Sequence, residues 1–170
     1  MWKYYGRSRP TFAEKTTGDE ESVWDYPRPP KIEWVFVDIL VKIDEIIISQ
    51  SPEAFKVSET ASPPTYYIKA ENVSIANFVK HGGSSYCEWK GVATHWKLKS
   101  KSAVGVVGWS YDNPNEPYHY LKDCFAFYPA KLNCFLENER VRPQPGKFYG
   151  GWVTNNIKGP VKGAAGTEGW

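Results

Sequence analysis

The chain reads as mainly β: a single folded-over antiparallel β domain with one or two short helices. Three observations predict this. Runs of period-two alternation recur along it, turn signals fall every ten residues or so, and 170 residues fit comfortably around one core.

Residues 1–22 mix Gly, Ser, Thr and charges of both signs without periodicity and read as an N-terminal arm of uncertain order. Val23-Trp24-Asp25-Tyr26-Pro27-Arg28-Pro29-Pro30 follows, where prolines enforce an extended strap anchored by Trp24 and Tyr26. The alternation of Val35, Val37, Ile39, Val41 and Ile43 predicts a strand from Trp34 to Ile43, which turns at Asp44-Glu45 and returns as Ile46–Ser49. A separate strand is expected at Phe55–Thr60, ended by Pro63-Pro64, then a short one at Thr65–Ile68.

Glu71–Lys80 has the spacing of a short helix or loop, closed by His81-Gly82-Gly83-Ser84-Ser85. Two long strands, Tyr86–Lys99 and Ala103–Tyr111, are expected around a Ser100-Lys101-Ser102 turn. Pro117–Asp123 opens on proline and reads as a helix. Cys124–Tyr128 and Asn133–Leu136 complete the strands of a β domain over residues 23–154, and residues 155–170 read as a Gly/Lys-rich C-terminal tail that wraps rather than packs.

Charge and cysteine content exclude several classes. With 21 basic against 19 acidic residues, the net charge of +2 supplies no footprint for nucleic acid. Cys87, Cys124 and Cys134 are odd in number and lack C-x-x-C spacing, so neither a disulfide framework nor a metal site is expected. The start lacks the apolar region of a signal peptide and no stretch approaches a membrane span, so a soluble, cytoplasmic protein is expected. Oligomeric state is not legible.

Two ionisable residues fall on apolar strand faces. Alternation groups Lys90 with Val92, Thr94, Trp96 and Leu98, and Glu59 with Phe55 and Val57. A buried charge is costly unless paired, so Glu59 and Lys90 are expected to meet at the floor of an aromatic-lined cleft. Cys87 lies nearby in Ser85-Tyr86-Cys87-Glu88-Trp89-Lys90-Gly91, but on a regular strand it points to the face opposite Lys90, and meeting it requires a bulge. The glycines of Phe148-Tyr149-Gly150-Gly151-Trp152 let backbone approach a neighbour closely, and the aromatics there are candidates to wall the cleft.

Taken together, Trp24-Asp25-Tyr26-Pro27-Arg28-Pro29, Glu59-Thr60-x-x-Pro63-Pro64-Thr65-Tyr66-Tyr67-Ile68, Cys87-x-Trp89-Lys90-Gly91, Trp109-Ser110-Tyr111, Ala126-Phe127-Tyr128-Pro129 and Phe148-Tyr149-Gly150-Gly151-Trp152 resemble the DUF427 family over residues 23–160. The resemblance implies a single β domain of the β-tent, Mss4-like kind. Zinc, which such relatives hold through paired cysteines, does not carry over to a chain without those pairs, and no cofactor is expected. An acidic pair able to hold magnesium for nucleotidyl transfer is likewise not recognisable.

The function expected is binding of a small polar or anionic molecule by Glu59, Tyr67, Lys90, Trp96, Trp109, Tyr111 and Tyr149. The alternatives are an enzyme using Glu59 and Lys90 as acid and base, with Cys87 a candidate nucleophile, or a protein-interaction module.

Overall fold

A computed structural model describes all 170 residues. The strands, in chain order, are β1 (Glu21–Ser22), β2 (Lys31–Ile43), β3 (Ile46–Ser58), β4 (Thr65–Lys69), β5 (Phe78–Cys87), β6 (Gly91–Leu98), β7 (Val106–Ser110), β8 (Cys124–Phe127), β9 (Asn133–Leu136), β10 (Glu139–Arg140), β11 (Arg142–Pro143), β12 (Trp152–Val153) and β13 (Ile157–Lys158). Nine of them form one antiparallel sheet in the order β10-β9-β2-β3-β4-β8-β7-β6-β5. The remaining four make two small ribbons, β1 with β13 and β11 with β12.

Period two sorts the core onto two faces of this sheet. Ala54, Tyr66, Ile68, Phe125 and Phe127 join one cluster, while Val57, Tyr67, Cys124 and Ala126, at odd spacings from them, join another; Val107 and Trp109 also part between the two clusters, because the β6–β7 register shifts beside Val107. The first cluster also takes Ile39, Val41 and Cys134 from one end of the sheet and Phe78 and Leu98 from the other. Nine strands laid flat would hold those ends roughly 35 Å apart at about 4.8 Å per strand. Their meeting means that the sheet folds over on this face.

Several boundaries differ from the sequence reading. Ile46–Ser49 and Phe55–Thr60 are parts of one strand, β3, that runs through Pro52. The pairing steps from Phe36↔Glu53 to Ile39↔Ser51, so a bulge in β2 lies opposite the proline and no ladder bond needs its missing N–H. The glycine run at 82–83 is not a closing loop but lies within β5, where the register also shifts. Tyr86–Lys99 is not one strand: it contains the β5–β6 turn at residues 88–90. Glu71–Lys80, expected as a short helix or loop, holds parts of two short 3₁₀ turns, Ala70–Asn72 and Ile75–Asn77, and the start of β5, and the expected helix at Pro117–Asp123 reduces to a 3₁₀ turn at Tyr118–Leu121.

The two ends of the chain are not loose. Trp24 and Tyr26 anchor the strap as expected, in a third cluster with Val23, Ala61 and Ile157. The Lys3 amide donates to the Gly169 carbonyl (2.9 Å), the Glu14 amide to the Gly159 carbonyl (2.8 Å), and the Phe12 and Trp170 rings stack at 5.1 Å. Each end carries apolar side chains too few to bury alone, and they bury them against each other.

Candidate functional site

The site lies on the second face of the sheet, where the β5–β6 hairpin meets β4, β7 and the loop after β3. A three-residue turn, Glu88-Trp89-Lys90, joins Cys87 to its pairing partner Gly91, which takes a φ of +101°. Only glycine adopts that conformation without strain, and it closes the hairpin. The loop after β7 then pins the turn, because the Asn115 amide donates to the Lys90 carbonyl (3.0 Å) and the Asn115 side chain to the Trp89 carbonyl (3.3 Å).

This geometry buries Lys90, which is 8% exposed, for a reason other than strand alternation. Along β6 the buried residues on this face are Gly91 and Ala93, while Val92 is exposed. Lys90 enters from the turn instead. The same turn brings it beside Cys87, which the strand reading had placed on the opposite face: residues at the two feet of a hairpin turn need no bulge to meet. Burial disfavours the Lys90 ammonium, but the Tyr67 hydroxyl, the Cys87 thiol and Glu59 outweigh that cost and hold its pKa above the usual lysine range.

Aromatic side chains surround the amine. Tyr67 is 1% exposed and accepts a hydrogen bond from Trp109 Nε1 at 3.3 Å; Tyr111 packs against it at 6.2 Å between ring centroids. Burial drives the Tyr67 hydroxyl pKa upward, and does the same to Tyr111. Tyr118 donates to the Pro30 carbonyl at 2.7 Å, tying the strap to the site. Gly150 leaves room for this wall, since a Cβ there would lie 2.4 Å from Trp109 Cη2.

Glu59 does not pair with Lys90. It follows β3 directly, and its Oε1 accepts from Arg28 Nε at 2.9 Å and from Trp89 Nε1 at 3.3 Å. No carboxylate lies within ion-pairing distance of the Lys90 amine, so Glu59 acts on it only through space. The Arg28 side chain has no exposed surface and also donates to the carbonyls of Tyr4 (2.7 Å), Thr60 (2.9 Å) and Trp170 (3.1 Å).

Arg28, Lys162, Tyr149 and Trp2 complete the outer part. Trp2 lies over the Arg28 guanidinium, 4.3 Å from its ring centroid, and over Lys162 Nζ at 3.7 Å, while Tyr149 faces Lys162 Nζ at 4.5 Å. Burial raises the Tyr149 hydroxyl pKa, with Glu59 adding to the shift and Arg28 opposing it.

Of the residues expected to line one cleft, Lys90, Tyr67, Trp109 and Tyr111 come together, with Glu59 and Tyr149 in the adjoining outer part. Trp96 does not join them. It pairs with Gly108, donates to Ser110 Oγ at 2.9 Å and packs on the first cluster, across the sheet from Trp109. There it lines a cleft of about 290 Å³ with Lys80, Tyr111, Asp112 and Phe125, so Tyr111 is the one residue of the expected set that it meets.

Sequence reasoning missed Arg28, Lys162 and Trp2. Arg28 sits between prolines and Lys162 in a Gly/Lys-rich segment, where no alternation marks a side chain as inward. Nowhere does the structure gather three His, Cys, Asp or Glu side chains into a potential metal-ligand set.

The fold and this site define an antiparallel β domain with a buried cluster of aromatic and cationic side chains in which cations outnumber carboxylates. The chain belongs to the DUF427 family, described as a domain of unknown function, whose family model matches residues 31–138, more than half of the chain. The match spans Glu59, Tyr67, Cys87, Lys90, Trp109 and Tyr111, whereas Trp2, Arg28, Tyr149 and Lys162 lie outside it. No curated protein matches the chain.

Proposed function

We propose that this domain binds a small anionic molecule at Lys90, against the aromatic cluster of Tyr67, Trp109 and Tyr111. One observation carries the reading: Lys90 is buried without a carboxylate partner, because the nearest one, Glu59, is committed to Arg28. A desolvated ammonium without a direct counter-ion favours an incoming anion. Arg28, Lys90 and Lys162 are all buried and only Glu59 offsets them, so charge balance favours a carboxylate or phosphate over a cation. The three free cysteines accord with a cytoplasmic setting.

The test is a thermal-shift screen of the full chain against carboxylates and phosphates, followed by calorimetry with Lys90→Met. A ligand that binds only the folded form stabilises it by about 2.7 kcal/mol at one hundred times its Kd. Lys90→Met is expected to stay folded and lose binding. Unchanged affinity in that variant rules the reading out.

A second reading is enzymatic, and the contact of Lys90 with Cys87 favours it. Cys87 is the one cysteine of the three that is not fully buried, and a thiol must be reachable to act as a nucleophile. Rapid alkylation of half-buried Cys87 in the native protein, with Cys124 and Cys134 spared, supports this reading; slow labelling of all three removes the nucleophile from it.

A further inference from the structure

Lys162 is unlike the other lysines of the chain. It is 2% exposed, and its backbone is fixed from both sides: its amide donates to the Ala61 carbonyl at 2.8 Å and its carbonyl accepts from Gln144 Nε2 at 2.8 Å. The amine is therefore held in place by the fold. Its neighbours are two π faces, Trp2 at 3.7 Å and Tyr149 at 4.5 Å, and no carboxylate, carbonyl or hydroxyl accepts a hydrogen bond from it. Glu59, the carboxylate that acts most strongly on this amine through space, is already taken by Arg28 and Trp89.

Outside this pair of rings lies an open cleft of about 630 Å³, lined by Met1, Trp2, Tyr5, Glu88 and Trp89. Trp2 is both a wall of the cleft and the cover on the amine. The Trp2 indole is held there by donating its Nε1 hydrogen to the Glu88 carboxylate, so access from the cleft to Lys162 requires this one side chain to be displaced.

We propose that Lys162 is a covalent binding site for a small carbonyl compound, an aldehyde or 2-oxo acid, which it captures as an imine between Trp2 and Tyr149. The neutral amine's lone pair attacks the carbonyl carbon, a C–N bond forms, and the C=O π pair moves onto oxygen. Both amine protons pass to that oxygen, which leaves as water, and the nitrogen lone pair closes the C=N bond. No oxidant or reductant is needed. The imine nitrogen then takes up one proton from solvent, balancing the one lost when the ammonium became the neutral amine, and the resulting cation takes the place of the ammonium between the rings.

The electrostatics support the chemistry. Burial lowers the Lys162 pKa to about 8, Arg28 pushes it the same way, and Glu59 and the exposed Glu88 oppose. At pH 7.5 an amine titrating near 8 is about two-hundred-fold more deprotonated than an ordinary lysine. This inference does not rest on the anion site at Lys90, and the two fail separately.

The experiment treats the full chain at pH 7.5 with glyoxylate and cyanoborohydride and maps the modified lysines by mass spectrometry over time. Lys162 is expected to be modified at least ~10-fold faster than the exposed Lys99 and Lys122, a margin left after the cost of entering an enclosed site. Trp2→Ala is expected to raise its rate further, with Trp2→Phe as the milder variant should alanine loosen the fold. Lys162→Arg, which keeps the charge but has no nucleophilic amine, is expected to remove the fast phase. Labelling of Lys162 no faster than that of Lys99 and Lys122, in the parent and in the Trp2 variants, overturns the proposal.

Discussion

Arg28 holds Glu59 at 2.9 Å, between a guanidinium with no exposed surface and a carboxylate whose side chain is 21% exposed. This pair shapes the electrostatics around both buried lysines. It leaves Lys90 without a direct counter-ion, and at Lys162 its two members act in opposite senses, Glu59 raising the pKa that burial lowers and Arg28 adding to the lowering. It also joins three parts of the chain, since the same guanidinium donates to the Tyr4, Thr60 and Trp170 carbonyls.

Replacing Arg28 with Met fills similar volume but leaves Glu59 and three carbonyls without their donor. Removing one member of a buried pair costs about 3–5 kcal/mol. We expect a loss on the order of 3 kcal/mol in urea denaturation, together with faster amide exchange around Lys3 and Glu14, whose bonds tie the first residues to the last. A loss below about 1 kcal/mol would show that the clamp is peripheral to stability.

Gly91→Ala tests the hairpin that positions Lys90. At φ +101° an L side chain is strained, and its Cβ would lie 3.3 Å from Asn115 Oδ1, in the loop that pins the turn. The expected cost is about 1–2 kcal/mol in denaturant midpoint analysis, with weakened anion binding because Lys90 is displaced. Gly82→Ala is the control: nothing lies within 4 Å of its added Cβ, so little change is expected. Equal effects from the two substitutions would contradict the special role of the turn.

The lowered Lys162 pKa carries a defined pH signature. Its folded-state value near 8 lies below the ordinary 10.5, so between those values the unfolded chain binds more protons than the folded one. Stability contributed through this group therefore rises with pH across that window, and the cost of burying the charge is felt in full below it. Subtracting the curve of Lys162→Met from that of the parent cancels the buried tyrosines, whose raised pKa values act in the opposite sense above pH 10. The difference is expected to change by on the order of 2 kcal/mol between pH 7.5 and 10.5. A flat difference would mean that the amine titrates as in water.

Part of the site was legible in the residues. The β2–β3 hairpin at Asp44-Glu45 and the strand at Asn133–Leu136 followed from pattern and turn residues, which are local. Lys90 attracted notice as a charge among apolar neighbours, and it is buried. The route to that conclusion was misleading, because alternation was carried through a turn that the sequence does not mark strongly. Trp96 was grouped with Lys90 by the same count and lies across the sheet for the same reason.

Local patterning thus sufficed for the β class, for most strands of the large sheet and for two polar residues worth watching, because alternation and turn chemistry act between residues a few positions apart. The pairing of Arg28 with Glu59, the isolation of Lys90 from any carboxylate and the placing of Lys162 beneath Trp2 required the folded chain. Each joins residues far apart in sequence or depends on a hairpin register, and burial and charge compensation are properties of what surrounds a group in space.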